Sequence, residues 1–145
     1  MILVDTNVLI DVAVDDPAWA EWSGAQLALA RDSDRLALNA IVYAELSVHF
    51  DTVEALESIL APFRFERLHL PWEAAFLAAK AFKRYRRAGG SKSTPLPDFF
   101  IGAHAAVSGL PLLTRDPRRY RRYFPKVRLI SPGRPDLRAR TDELP

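Results

Sequence analysis

The stretch Ile2-Leu3-Val4-Asp5-Thr6-Asn7 decides how the chain is read. A continuous apolar run of strand type is closed by three residues that favour helix N-caps and turns, so a buried strand feeds directly into a helix. The same alternation continues outward. Pro17 opens an expected helix through Ala30, and Leu36 to Leu38 is a short strand. Helices follow from Ala40 to Phe50 and from Thr52 to Leu60, the second with Asp51 as its expected cap. Phe65 to Leu70 reads as strand, and Trp72 to Ala88 as a long helix stopped by Gly89-Gly90. A Ser/Lys/Thr/Pro connection leads to a helix that begins at Pro97 or Asp98 and ends at Gly109. Leu110 to Thr114 is then a strand closed by Arg115-Asp116, with a short helix from Pro117 and a last strand from Val127 to Ile130. Strands alternating with helices throughout predict a three-layer α/β/α domain with a mainly parallel central sheet. That domain is expected over residues 1–131, followed by a polar C-terminal tail, 132–145.

Composition narrows the function classes. The chain has 145 residues and no cysteine, so disulfides and thiolate metal sites are excluded. No apolar run reaches the roughly 18 residues of a membrane span. Met1 leads straight into the apolar run with no basic segment ahead of it, which is not the pattern of a secretory signal, and a cytoplasmic location is expected. The net charge of +2 conceals a division: residues 1–79 carry 4 basic and 13 acidic side chains, residues 80–145 carry 16 basic and 5 acidic. A basic half beside an acidic one suits a polyanionic partner, although Lys80, Lys83, Arg84, Arg86 and Arg87 also fit a solvated helix face.

In an open parallel sheet the functional crevice lies beyond the carboxyl ends of the strands. Asp5 and Asp116 each close a strand, and each also fits a helix cap. Glu45 shares a helical face with Ile41, Val42, Val48 and His49, an apolar setting for a carboxylate. Asp98 opens a helix built almost wholly of Phe, Ile, Ala and Gly, where a cap is again the plain alternative. Ionised carboxylates gathered in one place raise one another's pKa unless a cation neutralises them, and a divalent metal is the economical solution. His49, His69 and His104 are scattered and read as packing or surface residues, so the ligands are all oxygen, which selects Mg²⁺ or Mn²⁺ over Zn²⁺. Such an ion suits hydrolysis of a phosphodiester.

Four segments carry a family resemblance: Ile2 to Ile10; Ala44-Glu45-Leu46; Leu96-Pro97-Asp98-Phe99-Phe100-Ile101-Gly102-Ala103-His104-Ala105; and Leu112-Leu113-Thr114-Arg115-Asp116. In order and spacing they resemble PIN domains, and a chain of this length resembles the VapC-type toxins of VapBC toxin–antitoxin pairs. The resemblance implies a metal-dependent endoribonuclease whose acidic cluster is Asp5, Glu45, Asp98 and Asp116, with Asp5 and Asp98 as metal ligands and Thr6, Asn7 and Thr114 positioning waters or ligands. It also implies a homodimer and a cognate antitoxin covering the acidic groove. The basic segments from Lys80 to Lys92 and Arg115 to Arg128 are candidates to hold RNA phosphates, with Tyr85, Tyr120 and Tyr123 able to stack bases or to pack. A non-catalytic RNA-binding or scaffolding domain of the same fold is the alternative, and its mark would be a lost acid.

Other chemistries are disfavoured residue by residue. In Gly89-Gly90-Ser91-Lys92-Ser93-Thr94 a serine holds the glycine place before the lysine and a helix precedes the loop, unlike a phosphate-binding loop. A haloacid-dehalogenase-like phosphatase needs a second aspartate where Asn7 stands. No Gly-x-Ser-x-Gly elbow or His-Glu-x-x-His motif is present.

Overall fold

The sheet is built on β1 (Ile2–Val4), whose three residues are all buried. In the computed structural model, which describes residues 1–93 and 96–133, five strands run in the order β3-β2-β1-β4-β5. They are β2 (Leu36–Asn39), β3 (Glu66–Leu68), β4 (Leu112–Leu113) and β5 (Leu129–Ile130) around β1, and every neighbouring pair is parallel. The expected α/β/α architecture is therefore present, with the sheet parallel throughout. From β1 the chain steps to β2 and β3 on one side, then returns to place β4 and β5 on the other. This reversal makes the carboxyl ends of β1 and β4 the switch point, where open parallel sheets leave a crevice between diverging connections.

Local chemistry sets where the helices begin. Asp5 caps α1 (Thr6–Ala13) by accepting the Thr6 N–H. Helix α2 (Ala20–Ser33) starts later than Pro17, because the Asp16 carboxylate accepts from the Ala18 and Trp19 amides and holds those residues in a turn. Asn39 caps α3 (Ala40–Ser47), taking the Ile41 and Val42 amides at 3.0 Å each. Helix α3 ends at Ser47 rather than Phe50. Thr52, not Asp51, caps α4 (Val53–Leu60), since its hydroxyl reaches the Ala55 amide one turn on. Helix α5 (Trp72–Arg87) stops where Gly89 adopts φ 93°, and α6 (Pro97–Ser108) stops at Gly109 with φ 63°, both left-handed conformations that favour glycine. The short α7 (Arg118–Tyr123) follows β4.

Leu3, Val4, Val8, Leu9, Leu38, Phe99, Ile101 and Leu113 form the centre of the core. Edge strand β3 is mostly exposed, and only Glu66 to Leu68, half of the expected segment, pair with β2. Thr94 and Pro95 of the expected connection, and residues 134–145 of the expected tail, lie outside the described residues. Among those described, no helix is long and apolar enough to cross a membrane.

Candidate active site

The switch point collects carboxylates from several elements. Asp5 stands where β1 becomes α1 and is 3% exposed. Its Oδ2 accepts the Thr114 hydroxyl from beyond β4 and the Tyr120 hydroxyl from α7, both at 2.8 Å. Glu45 reaches in from α3, its Oε1 accepting the Thr6 hydroxyl at 2.7 Å. Asp98, in the first turn of α6, has its Oδ2 paired with Arg119 Nη1 at 2.9 Å. Asp116 stands farther out, its carboxylate held by both Arg118 Nε and Nη2 at 3.0 and 3.1 Å.

Charge and burial explain the titration of these groups. Burial, reinforced by the Asp98 charge, pushes Asp5 up from 3.8 to about 7, against the three donors that favour its anion. Burial and the same neighbour also raise Glu45. Asp98 is raised by burial too, even though Arg119 pulls it down, and the Asp116 charge adds to the rise. Asp116 itself is lowered, chiefly by Arg118. Asp5 and Glu45 thus both feel the Asp98 charge, whereas Asp116 couples to Asp98 from the rim.

The capping alternatives separate these residues. Asp5 both caps α1 and faces the cluster. Asp98 makes no capping bond, because Leu96 is the cap residue of α6, and Asp116 makes none, because Pro117 precedes α7. The setting expected for Glu45 is different from the one found: α3 ends before Val48, which is 82% exposed, and His49 is exposed too. Glu45 meets the cluster through Thr6 rather than through an apolar face.

The supporting residues orient groups of the chain. Thr6 fixes Glu45, and Thr114 fixes Asp5. Asn7 ties the loop after β4 to α1, donating to Thr114 Oγ1 and accepting the Arg115 amide, each at 3.3 Å. Asn39 links the helices that carry Glu45 and Asp98. Its oxygen is occupied by the α3 cap, so its amide donates to His104 Nδ1 on α6 at 2.9 Å, and the imidazole is neutral with its proton on Nε2. Burial lowers His104 accordingly. His49 and His69 are exposed, as expected of surface residues.

Four residues hold places that the sequence did not assign them. Tyr120 is 1% exposed with its hydroxyl on Asp5, so it is unavailable for base stacking. Arg118 and Arg119 occupy the outer carboxylates. Asp11 is buried and bonded to Ser23 Oγ and Arg115 Nε, each at 2.8 Å, which anchors the β4–α7 loop to α1 and α2. Tyr123 packs edge-on against Phe99, and Tyr85 also lies against Phe99. Together with Asp98, Asp116, Arg118, Arg119 and Arg122, these two tyrosines line a cleft of about 400 Å³. The arginines of α7 therefore share one open cleft with Asp98 and Asp116.

As folded, each carboxylate has its own compensating partner, and among the described residues no three acidic or histidine side chains stand at metal-holding spacing. The donor chemistry nevertheless fits a hard divalent ion: only oxygens are offered, and the Asp98 charge raises both Asp5 and Glu45 in the way a cation would relieve.

A family model described as PIN domain matches residues 2–125. Comparison with curated proteins gives no match. Among solved structures the chain is similar to VapBC2 from Rickettsia felis bound to a promoter DNA fragment, at 21% identity and TM-score 0.67, covering 90% of this chain and 98% of that one. It is similar to DNA-bound VapBC from Salmonella typhimurium at 22% identity and TM-score 0.67, with the same coverage of 90% and 98%. FitAcB from Neisseria gonorrhoeae is 26% identical with TM-score 0.61, covering 90% of this chain and 96% of that one.

Proposed function

The chain belongs to the PIN-domain family, and on that premise we propose that it is a Mg²⁺- or Mn²⁺-dependent endoribonuclease acting as the toxin of a toxin–antitoxin pair. The observation that carries this reading is the convergence of Asp5, Glu45 and Asp98 from three elements beside an arginine-lined cleft. Asp5 and Asp98 would hold the ion, with Glu45 completing the acidic set and Asp116 acting from the rim. When bound, such an ion supplies Lewis acidity, which neutralises phosphate charge and acidifies water.

The chain's own groups do the rest. Tyr120, Thr114 and the Thr6 amide aim the Asp5 carboxylate, and Thr6 aims Glu45. Arg118, Arg119 and Arg122 offer donors to phosphate oxygens along the cleft. Position, more than covalent chemistry, is what such a site contributes to phosphodiester hydrolysis. The likeness to VapBC assemblies supports a cognate antitoxin, and the family resemblance supports a homodimer.

The test is cleavage of labelled single-stranded and structured RNA by wild type, Asp98→Asn and an EDTA-treated control. Cleavage by metal-loaded wild type alone is the expected result. RNA binding without cleavage across a broad substrate panel would favour a binding module instead.

A further inference from the structure

Arg119 is placed to serve two partners. Its Nη1 holds Asp98 Oδ2 at 2.9 Å, and both side chains are more than a third exposed, so the pair opens to solvent rather than being locked in the core. The guanidinium carbon lies 5.9 Å from the centre of the Tyr85 ring and 5.8 Å from that of Phe99. Two aromatic rings thus support the cation whichever anion it faces. Among the described residues the guanidinium makes one hydrogen bond, that to Asp98, which leaves most of its five donors for the cleft it lines. Arg118 differs: both ends of its fork close on Asp116, away from the buried carboxylates.

A guanidinium and a divalent cation drawn to the same carboxylate repel each other, so binding of the ion at Asp98 weakens the hold of Arg119 on it. We propose that Arg119 is an exchangeable occupant of the metal-site carboxylate: it neutralises Asp98 in the metal-free protein and, when Asp98 engages a divalent cation, turns on the Tyr85 and Phe99 rings to bind an RNA phosphate in the same cleft. The inference rests on the reading of Asp98 as a metal ligand. It makes Arg119 a competitor of the ion and a partner of the substrate, two effects of opposite sign from one side chain.

Mn²⁺ affinity measured by titration calorimetry on full-length wild type, Arg119→Gln, Arg122→Gln and Asp98→Asn tests this without any turnover. Arg119→Gln should bind Mn²⁺ about three- to tenfold more tightly than wild type, the worth of a part-exposed charged hydrogen bond. Arg122→Gln, which removes a neighbouring charge with no carboxylate contact, should change it by less than about twofold. Affinity for a short fluorescent RNA, read in a stopped-flow instrument before cleavage, should weaken in Arg119→Gln with Mn²⁺ and stay unchanged in EDTA. If Asp98→Asn loses Mn²⁺ while Arg119→Gln gains no more than Arg122→Gln, the metal site stands and the exchange is overturned. An RNA affinity that falls equally with and without Mn²⁺ overturns it too. If all four proteins bind Mn²⁺ alike, the metal-site reading falls and the exchange falls with it.

Discussion

Asp5→Asn in the metal-free protein should reverse part of the pH dependence of stability, and the size follows from the burial of one carboxylate. In the folded protein Asp5 is raised from 3.8 to about 7, so between those values it keeps a proton that the unfolded chain has released. Fewer protons bound in the unfolded state means that stability falls as pH rises, by about 1.4 kcal/mol per pH unit, until Asp5 ionises in the fold as well. From pH 5 to pH 8 the loss is about 3 kcal/mol. Asparagine keeps the shape and removes the charge, while the Thr114 and Tyr120 hydroxyls can turn to accept from its amide. His104 works in the other direction, because a lowered folded pKa adds stability as pH rises through the range of the free imidazole, but it is common to both proteins and cancels in the difference. Asp98 and Glu45 are raised chiefly by burial, which the substitution leaves in place, so they too cancel in the difference. The assay is urea unfolding of both proteins in EDTA at several pH values. Wild type should lose about 3 kcal/mol relative to Asp5→Asn between pH 5 and pH 8, and saturating Mn²⁺ should abolish the loss. Parallel profiles in EDTA would refute the reading of Asp5 as a buried carboxylate with hydroxyl and amide donors but no cationic partner.

Tyr120→Phe takes one donor from the Asp5 anion and should cost about 1–3 kcal/mol at pH 8, while slowing cleavage more than it weakens RNA binding; unfolding curves and a split of kcat from KM check both. Gly102→Ala places a Cβ 2.4 Å from the Phe124 ring and 3.0 Å from Tyr120, so it should cost about 1–3 kcal/mol and displace the Tyr120 hydroxyl, visible as a changed tyrosine absorbance near neutral pH. Arg115→Gln leaves the Asp11 carboxylate buried with only Ser23 as a partner and should cost about 2–4 kcal/mol in urea unfolding at pH 7, a loss that Asp11→Asn in the same chain should partly restore.

The parts of the fold that the sequence carries most clearly are those fixed by neighbouring residues. Ile2-Leu3-Val4-Asp5 reads as a buried strand running into a capped helix, and the structure contains both. Gly89 and Gly109 mark helix ends that only a left-handed residue closes well. Where two capping residues stand side by side, as in Asp51-Thr52, local chemistry leaves the choice open, and the geometry of the Ala55 amide decides it. The carboxylates of the candidate site are visible because acids are conspicuous among apolar residues, but their partners are not. Tyr120 lies in Arg-Arg-Tyr-Arg-Arg-Tyr, where charge masks an apolar stripe continued by Tyr123 and Phe124. Its contact with Asp5 spans the chain, and nothing local announces it. Asp11 offers the signal that drew attention to Glu45, an acid on an apolar helix, yet its answer is an ion pair with Arg115. The spacing that suggests a metal ligand also describes a structural anchor until the distant partner is known.

The Asp5 carboxylate belongs to the first strand, while two of its hydroxyl donors arrive at positions 114 and 120. Strand β1 is flanked by β2 and β4, so the centre of the sheet is closed only when β4 has been made. A growing chain on the ribosome therefore holds Asp5, and later Glu45 and Asp98, without the groups that aim the first of them. The site comes together only after residues 114 and 120 have been made, in a step that also seats β4 against β1. A chain interrupted before Tyr120 would carry all four acids and lack one of the groups that aim Asp5.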